Sequence, residues 1–471
     1  MSTPQSGLIG AFLLVSLPVA ATDLLSLPQA IDMALQYRLE LQGARLSRQS
    51  AGLGVSAVES ELGWQANASA GWQHGLDMFG QPSEQQRLAA GLMKRQRSGD
   101  EISLQGSYQK DDSDIAGSSL FPNPMESYGV HLDYRMPLQQ GKHNPQYAYA
   151  ETQAQMELAI AVAQQQATAE QIAEQLIGIY HRLLEIQIQI AENQRAIERT
   201  LRLERFVQKN TRLGLAERKD RLSVQARLAA QRADGKRLQR EWSTQLTQLR
   251  RMTGRTQDNV EVMNYESTRG IPLVISDIQQ QVVQRDAVVI SNRERLALTE
   301  SLLQLNRDRQ KDQLDMVLSL GNETRQGERA GGALDENEWV GGVRLEYQLP
   351  LDRRGVDARS RQTLLELDRI RLENERYETD LKNQLQQWFE EWQMAAETTQ
   401  QYRLRQEIEQ LKYQEVNGRY REGRTDIREM LEAEETLSTA ERLLAQEEAR
   451  QSLVLALLSN RLGVFTTSNG N

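Results

Sequence analysis

The chain has 471 residues, a formal net charge of −9 and no cysteine. The lack of cysteine excludes disulfides, thiol catalysis, Cys-ligated metal sites and a lipid anchor attached through Cys. After residue 22 no stretch approaches the roughly 20 apolar residues of a membrane-spanning helix, which excludes a helical membrane protein. Because the chain is acidic and has no basic block, we do not expect it to bind nucleic acid.

The first residues have the pattern of an export signal. Residues 8–17 are apolar, Pro18 follows, and Val19-Ala20-Ala21 provides a small-residue cleavage site. The apolar run is too short to cross a bilayer, and residues 1–7 depart from the usual pattern by containing no Lys or Arg. We therefore predict a signal peptide over residues 1–21 and a mature chain that functions outside the cytoplasm.

Two segments alternate with the period of two that is typical of β-strands. In residues 128–136 and 339–349, aromatic and aliphatic side chains, and Gly341, occupy every second position. The charged residues between them are His131, Asp133, Arg135, Arg344 and Glu346. Such an apolar face turns toward the core of a soluble sandwich or toward the lipid around a membrane barrel. The alternation alone does not decide between a soluble sandwich and a membrane barrel.

Weaker segments share this period and are predicted to be further strands. They lie at residues 66–73, 88–94, 102–108 and 316–323. Between strands we predict one tight turn and several long polar loops, which are typical of an outer-membrane barrel. The turn lies at 97–100, and the loops lie at 76–86, 110–127 and 324–338.

Very long helices are predicted where the chain lacks helix breakers. No proline lies between Gln146 and Ile271 or after Pro350, and proline is the residue that most disrupts a helix interior. A helix of about sixty residues spans roughly 90 Å. The first of these segments has the a/d spacing of a coiled coil at Ile172, Leu176, Ile179, Leu183, Ile186 and Ile190. A second apolar stripe beside it predicts two packing partners.

The sequence contains an internal repeat. Residues 130–138 match residues 343–351, Arg212-Leu213-Gly214 matches Arg421-Glu422-Gly423, and Met252-Thr253-Gly254 matches Arg461-Leu462-Gly463. The two central glycines suit the left-handed position at which helices end. We predict a first structural repeat over residues 22–254 and a second over 276–463. Between them lies a linker, 255–275, and after them a disordered tail, 464–471.

Three segments resemble the TolC-like family of outer-membrane efflux proteins. They are the opening helix Leu25–Leu35, the strand-to-helix junctions at Pro137 and Pro350, and the segment Arg419–Ala433. The likeness extends over nearly the whole mature chain. It implies a mainly α fold with a β-barrel part, in which a duplicated strand and long-helix repeat forms a trimeric outer-membrane barrel continued by a periplasmic α-helical barrel.

The resemblance also implies functional residues at the periplasmic tip of the helices. Acidic residues stand six and nine positions after the second turn glycine. They and their counterpart in the first repeat would form a gate and selectivity ring of Glu429, Glu432 and Asp220. The basic residues that would neutralise this ring are Lys219, Arg424 and Arg428. The tips that would dock an adaptor contain Arg212, Leu213, Gly214, Tyr420, Arg421, Glu422 and Gly423. The charged strand residues would line the barrel lumen.

The function implied by the resemblance is that of a channel subunit in a tripartite efflux or type I secretion system. A homotrimer in the outer membrane of a Gram-negative bacterium, in contact with its lipid, would conduct cargo passively. Its partners would be a periplasmic adaptor and an inner-membrane pump. Family barrels normally take two strands per repeat, so the additional hairpin at 88–108 either widens the barrel or folds against it.

Other functions fit the sequence less well. A periplasmic or surface-exposed coiled-coil protein or adhesin is the alternative. An enzyme is not expected, because the sequence shows no Ser-His-Asp grouping and no phosphate-binding loop. No cofactor or metal is expected either. His181 and Glu185 have the spacing of two metal ligands on a helix, but no third ligand is near in sequence, so we predict an ordinary surface pair.

Overall fold

The computed structural model describes residues 23–76, 80–113, 122–214, 216–255, 260–263, 265, 274–349 and 351–466. The predicted signal peptide and the junction at Pro350 lie outside these residues. The chain divides into two compact units. The helical unit contains residues up to Leu41, Thr168–Val282 and the residues from Asn383 onward, and the sheet unit contains Gln42–Ala167 and Val283–Lys382.

The helices of the two halves of the chain match in length. The first half contains helices of 11, 22, 68 and 36 residues: α1 (Leu27–Tyr37), α2 (Leu39–Ser60), α3 (Pro145–Arg212) and α4 (Arg218–Thr253). The second half contains helices of 11, 22, 68 and 35 residues: α5 (Ile275–Arg285), α6 (Ala287–Asp308), α7 (Arg354–Arg421) and α8 (Ile427–Arg461). At 1.5 Å per residue, each of the two longest helices spans about 100 Å. Within the described ranges no helix is long and apolar enough to cross a membrane.

Two sheets are formed by the described strands. The strands are β1 (Asp23–Leu25), β2 (Gln65–Leu76), β3 (Pro82–Arg95), β4 (Glu101–Ser113), β5 (Met125–Pro137), β6 (Val260–Val262), β7 (Gln313–Arg329) and β8 (Gly332–Gln348). β1 pairs in parallel with β6, and the other six strands form one antiparallel sheet in the order β2-β3-β4-β5-β7-β8. The predicted hairpin at 88–108 therefore supplies two strands of this sheet and does not fold against it.

The prediction of a long loop at 324–338 is wrong. β7 continues to Arg329 and β8 begins at Gly332, so only a tight turn separates the strands. The alternation continues here in polar residues, which give no hydropathy signal. These residues pair across the strands: the Asn337 side-chain amide donates to the Thr324 hydroxyl over 2.9 Å. The loop predicted at 76–86 is similarly shortened, because β3 begins at Pro82.

The core of the helical unit surrounds Tyr180 of α3, which is fully buried. The Tyr180 hydroxyl lies 2.7 Å from the carbonyl oxygen of Leu25, the last residue of β1, and accepts a hydrogen bond of 2.9 Å from the amide of Met263, just after β6. Burial raises the pKa of this hydroxyl to about 12. The segment predicted as a linker, 255–275, thus contains a strand that is tied to the core. This strand was not predicted, because three residues are too few to show the alternation of apolar and polar side chains.

The prediction of a disordered tail at 464–471 is wrong for its first residues. Phe465 is buried, and its ring lies 5.4 Å from the ring of Tyr265, centroid to centroid. A single aromatic residue just after a helix has no periodic neighbours, so its burial was not evident from sequence. Residues 467–471 lie outside the described part of the chain.

The surface pair predicted for His181 and Glu185 is also wrong. His181 is only 4% exposed, whereas Glu185 pairs with Arg182 on the partly exposed side of α3. Within the described residues, neither ring nitrogen of His181 has a hydrogen-bond partner. Burial lowers its pKa to about 4, so the imidazole is neutral at physiological pH.

We expect His181 to make the fold less stable in mild acid. Its folded pKa lies below the ordinary value of 6.5. As the pH falls through 6.5 toward 4, the unfolded chain therefore binds a proton that the folded chain does not. This difference lowers the free energy of unfolding by about 2 kcal/mol between pH 7 and pH 5. Urea unfolding at both pH values should show that His181→Leu removes most of this dependence. The control His143→Asn, at an exposed histidine, should retain it, and equal slopes in both variants would exclude His181 as the source.

Candidate functional site

The two helical hairpins of the helical unit turn at the predicted glycines. Gly214 follows α3 with a φ of 72°, and Gly423 follows α7 with a φ of 74°. The predicted left-handed conformation is confirmed at both positions. Beneath the turns, Val207 of α3, Val224 of α4, Val416 of α7 and Met430 of α8 belong to one buried apolar cluster. The two hairpin ends therefore pack against each other, and we call them the helix tips.

An open cavity of about 890 Å³ lies between the helix tips. Its lining combines residues of α4, such as Lys219 and Asp220, with Tyr420 of α7 and Glu432 of α8. Two of the three predicted ring carboxylates are thus brought to one cavity. Burial, together with nearby Asp220 and Asp426, raises the pKa of the Tyr420 hydroxyl to about 12, so Tyr420 stays neutral.

The predicted ring residues Asp220 and Glu429 occupy the same position in their helices. Each is the third residue after an N-cap. Asp220 accepts a hydrogen bond of 3.1 Å from the Glu217 amide, and the amide of Glu429 donates over 2.9 Å to the N-cap side chain of Asp426. Carboxylates are stabilised here because the first turn of a helix carries free N–H groups and the positive end of the helix dipole. Helix capping alone therefore favours acidic residues at these positions.

Among the described residues of one chain, no ion pair joins the predicted neutralising residues to the predicted ring. Lys219 lies 2.9 Å from Glu217, which raises the pKa of its amine, and Arg424 lies 3.1 Å from Glu422. Arg428 lines the cavity. Glu429 instead has Arg419 as its cation, at 3.6 Å, and accepts a hydrogen bond from the Thr425 hydroxyl. Arg419 was missed because it precedes the glycine turn, and only the folded hairpin brings it beside Glu429.

A buried ionic network below the tips was also missed. Glu434 of α8 has a side chain that is 2% exposed, and it lies 3.2 Å from Arg227 of α4 and 3.6 Å from Arg199 of α3. Arg199 also contacts Glu441 at 2.9 Å. In sequence these residues look like the many solvated charges of an acidic helix. The network joins three helices through ion pairs that meet at the buried Glu434 carboxylate.

The predicted lumen residues lie on one face of the six-stranded sheet. Arg135 of β5 contacts Asp315 of β7 at 2.6 Å and Glu346 of β8 at 3.0 Å, and Arg344 lies 3.0 Å from Glu346. His131 and Asp133 alternate with apolar residues along β5 and share the face of Arg135. Asp315, buried beneath Arg135, was missed because β7 begins three residues before the predicted strand.

The charged residues of the tips and of the sheet are arranged for electrostatic interactions. Among the described residues, no cluster of three or more His, Asp or Glu side chains could hold a metal ion. The charged residues at the tips cap helices or form ion pairs, and those of the sheet line one of its faces. Such a site can attract, hold or repel ions without changing covalent bonds.

The chain was compared with known proteins. No protein-family model matches it, and no curated protein matches it in sequence. Its structure matches the outer-membrane channel OprN, with a TM-score of 0.66 and 17% identity over 93% of this chain and 89% of that chain. It matches the outer membrane protein VceC of Vibrio cholerae with a TM-score of 0.64 and 14% identity over 93% of this chain and 96% of VceC.

A third structure agrees. The CmeC outer membrane channel of Campylobacter jejuni matches with a TM-score of 0.60 and 15% identity, over 93% of this chain and 85% of CmeC. The chain has the TolC-like channel fold. The resemblance inferred from the sequence is thus confirmed for the fold. At these identities the match concerns architecture, and the functional residues must be argued from this chain.

We expect Glu434→Ala to destabilise the TolC-like fold strongly. The change leaves Arg199 and Arg227 without their shared carboxylate, and breaking a buried ion pair costs roughly 3–5 kcal/mol. Urea unfolding of the purified protein in detergent measures the loss. The matched control is Glu435→Ala, because Glu435 also contacts Arg227 but has a side chain that is 65% exposed. An exposed pair contributes at most about 1 kcal/mol. Similar losses in both variants would contradict a structural role for the buried network.

Proposed function

We propose that the chain is the channel subunit of a tripartite efflux or type I secretion system, and that three copies form one conduit through the outer membrane. The sheet would be the membrane-embedded part, and the helix tips would be the periplasmic part. The matching helix lengths of the two halves support a duplicated repeat. The observation that carries the proposal is the exposed apolar face of the six-stranded sheet.

This face has the pattern of a lipid-facing barrel wall. Pairing aligns Leu92, Leu104, Leu132 and Leu320 in one row across β3, β4, β5 and β7, and all four are 41–54% exposed. A contiguous apolar surface in contact with water is unfavourable and rare in soluble proteins. The face therefore needs lipid, which argues against a soluble coiled-coil rod.

Aromatic residues bound this apolar face at both ends. One end has Trp72, Tyr128 and Trp339, and the other has Tyr347, with Trp64 immediately before β2. Along β8, Trp339 and Tyr347 are about 27 Å apart at 3.4 Å per residue. A strand tilt of about 40° reduces this to roughly 21 Å along the membrane normal, close to the ~25 Å apolar band of outer-membrane barrels.

A second exposed stripe supports association between copies. On α7, Leu404, Ile408 and Leu411 have the spacing of a coiled-coil seam and are 53–66% exposed. Elsewhere on the same helix, Leu385 and Val416 are buried within the chain. A second copy of the chain would cover the exposed stripe. The copy number of three follows from the family resemblance.

The tips would hold the gate and the adaptor site. In a trimer, three copies each of Glu429, Glu432 and Asp220 would approach the threefold axis. Such a ring attracts cations and opposes anions. Arg419 becomes the neutralising residue for Glu429, in place of the basic residues predicted from sequence. Around the ring, the turns at Gly214 and Gly423 would dock the adaptor, with Leu213 exposed at the first of them.

The channel proposal is tested by recording from the purified protein in planar bilayers. The wild type should form cation-selective pores that trivalent cations block. In the double variant Glu429→Ala/Glu432→Ala, the concentration of trivalent cation needed for block should rise at least tenfold. The reason is that six of the ring carboxylates of a trimer are removed. Glu422→Ala, which removes a tip carboxylate paired with Arg424, should behave like the wild type. Pores whose block survives in the double variant would refute the gate, and the absence of any pore would refute the channel.

Adaptor docking is tested at the second turn glycine. Gly423→Val places a β-branched residue at a φ of 74°, where nothing lies within 4 Å of the added Cβ. The strain is therefore conformational, roughly 1–2 kcal/mol, and should change the shape of the turn. In cells, cross-linking to the periplasmic adaptor should fall severalfold. The control Gly418→Ala also adds a Cβ into open space, but within α7. Equal cross-linking in both variants would show that the conformation of this turn does not determine adaptor docking.

A further inference from the structure

The hairpin of β3 and β4 is fully integrated in the sheet. β3 pairs with β2 from Pro82 opposite Leu76 to Met93 opposite Gln65. β4 pairs with β5 over a similar length, and β3 pairs with β4 throughout. The hairpin lies between β2 and β5, whereas in the second half of the chain β7 is followed directly by β8. The first half therefore contributes four strands where the second contributes two.

Both faces of the hairpin continue the chemistry of the neighbouring strands. Its apolar face contributes Leu92 and Leu104 to the exposed leucine row. Its other face carries small and polar residues in register, including Ala89 opposite Ser69 and Ser107 opposite Gly129. A hairpin folded into a lumen would not need an outward apolar row. This one is patterned as a part of the barrel wall.

The terminal strands of the sheet are suited to pair with each other between copies. Every neighbouring pair in the sheet is antiparallel, so with six strands β2 and β8 run in opposite directions. β8 of one copy can therefore continue the antiparallel sheet onto β2 of the next. Within the described residues, each of these strands pairs on one side only. Such free edges cannot remain open in a bilayer, because their backbone N–H and C=O groups would be unsatisfied.

We propose that three copies join β8 to β2 into a closed barrel of six strands each, eighteen in all, with an exit wide enough for polypeptide cargo that retains helical structure. This inference rests on the trimeric channel of the proposed function. Its new element is the strand number, which sets the size of cargo that can leave through the barrel.

The strand number sets the width of the exit. With strands about 4.8 Å apart and tilted by about 40°, eighteen strands enclose a backbone diameter of about 36 Å, and twelve enclose about 24 Å. Side chains occupy roughly 5 Å at each wall, which leaves openings of about 26 Å and 14 Å. An α-helix with its side chains is about 10–12 Å wide. The wider exit passes a pair of packed helices, and the narrower one passes a single helix at most.

One row of small residues faces away from the apolar side and leaves the exit wide at its level. In one row across β2 to β5, the side chains are those of Ser69, Ala89, Ser107 and Gly129. Large side chains in this row would narrow the opening from the wall inward. At this row the added strands thus enlarge the lumen without filling it.

The test compares the wild type with a variant that lacks Pro82–Ser113. The deletion removes β3 and β4 and leaves β2 and β5 antiparallel, so a barrel of four strands per copy can still close. Poly(ethylene glycol) of graded size is added on the barrel side of single channels in planar bilayers. The largest polymer radius that still enters should be about 1.5- to 2-fold smaller in the deletion variant. As a control, replacing Gln326–Asp335 with Asn-Gly shortens the β7–β8 hairpin without changing the strand number, and it should leave this radius unchanged.

A second measurement does not depend on any variant. End-on electron microscopy of the wild type in detergent should show three copies and a barrel about 36 Å across. A barrel near 24 Å, or an entry radius unaffected by the deletion, would overturn the inference and leave the trimeric channel in place. Two copies per particle would overturn the inference and would also contradict the copy number of the proposed function. Failure of the wild type to form any pore would instead refute the proposed function itself.

Discussion

Apolar surface that one chain cannot bury is the constraint on which the rest of this structure depends. The core around Tyr180 is closed within one copy, and its side chains are buried. The leucine row of the sheet and the Leu404–Leu411 stripe of α7 remain exposed. These surfaces differ in what can cover them. The stripe has coiled-coil spacing and fits another helix, whereas the sheet face is broad, bounded by aromatic residues and suited to lipid. Membrane insertion and self-association are therefore both consequences of surface that the fold leaves uncovered.

At the helix tips, one set of residues satisfies local and assembly requirements together. Asp220 and Glu429 stabilise the first turns of their helices, and this role needs no partner copy. In a trimer the same capping positions would be repeated around an axis, which turns a local preference for acidic residues into a ring of negative charge. The ion pair between Glu429 and Arg419 spans a single glycine turn. A movement of that turn would therefore change the charge of the ring.

Much of this architecture was predictable from sequence, because it depends on period and on chain breakers. Alternation located the strands, the long proline-free segments located α3 and α7, and the turn glycines were assigned their left-handed conformation. What could not be predicted depends on tertiary contacts. Glu434 and Glu435 are adjacent glutamates in sequence, yet one is buried between two arginines and the other is exposed. His181 and Phe465 were misplaced for the same reason, since no periodic pattern shows that a single polar or aromatic residue is enclosed. The polar halves of β7 and β8 were missed because hydropathy does not distinguish polar strands from loops.

The position of the extra hairpin follows from the geometry of antiparallel closure. A single added strand would give β2 and β8 the same direction, and the next copy could then pair only in parallel. Two added strands restore the opposite directions and leave the pairing between copies unchanged. A hairpin is therefore the smallest insertion that widens such a barrel without altering its interfaces. It must also carry one apolar and one small or polar face, because each new strand faces both lipid and lumen. The row that joins Ala66, Leu92, Leu104 and Leu132 and the adjacent row that joins Asn67, Gly91, Gln105 and His131 meet this requirement.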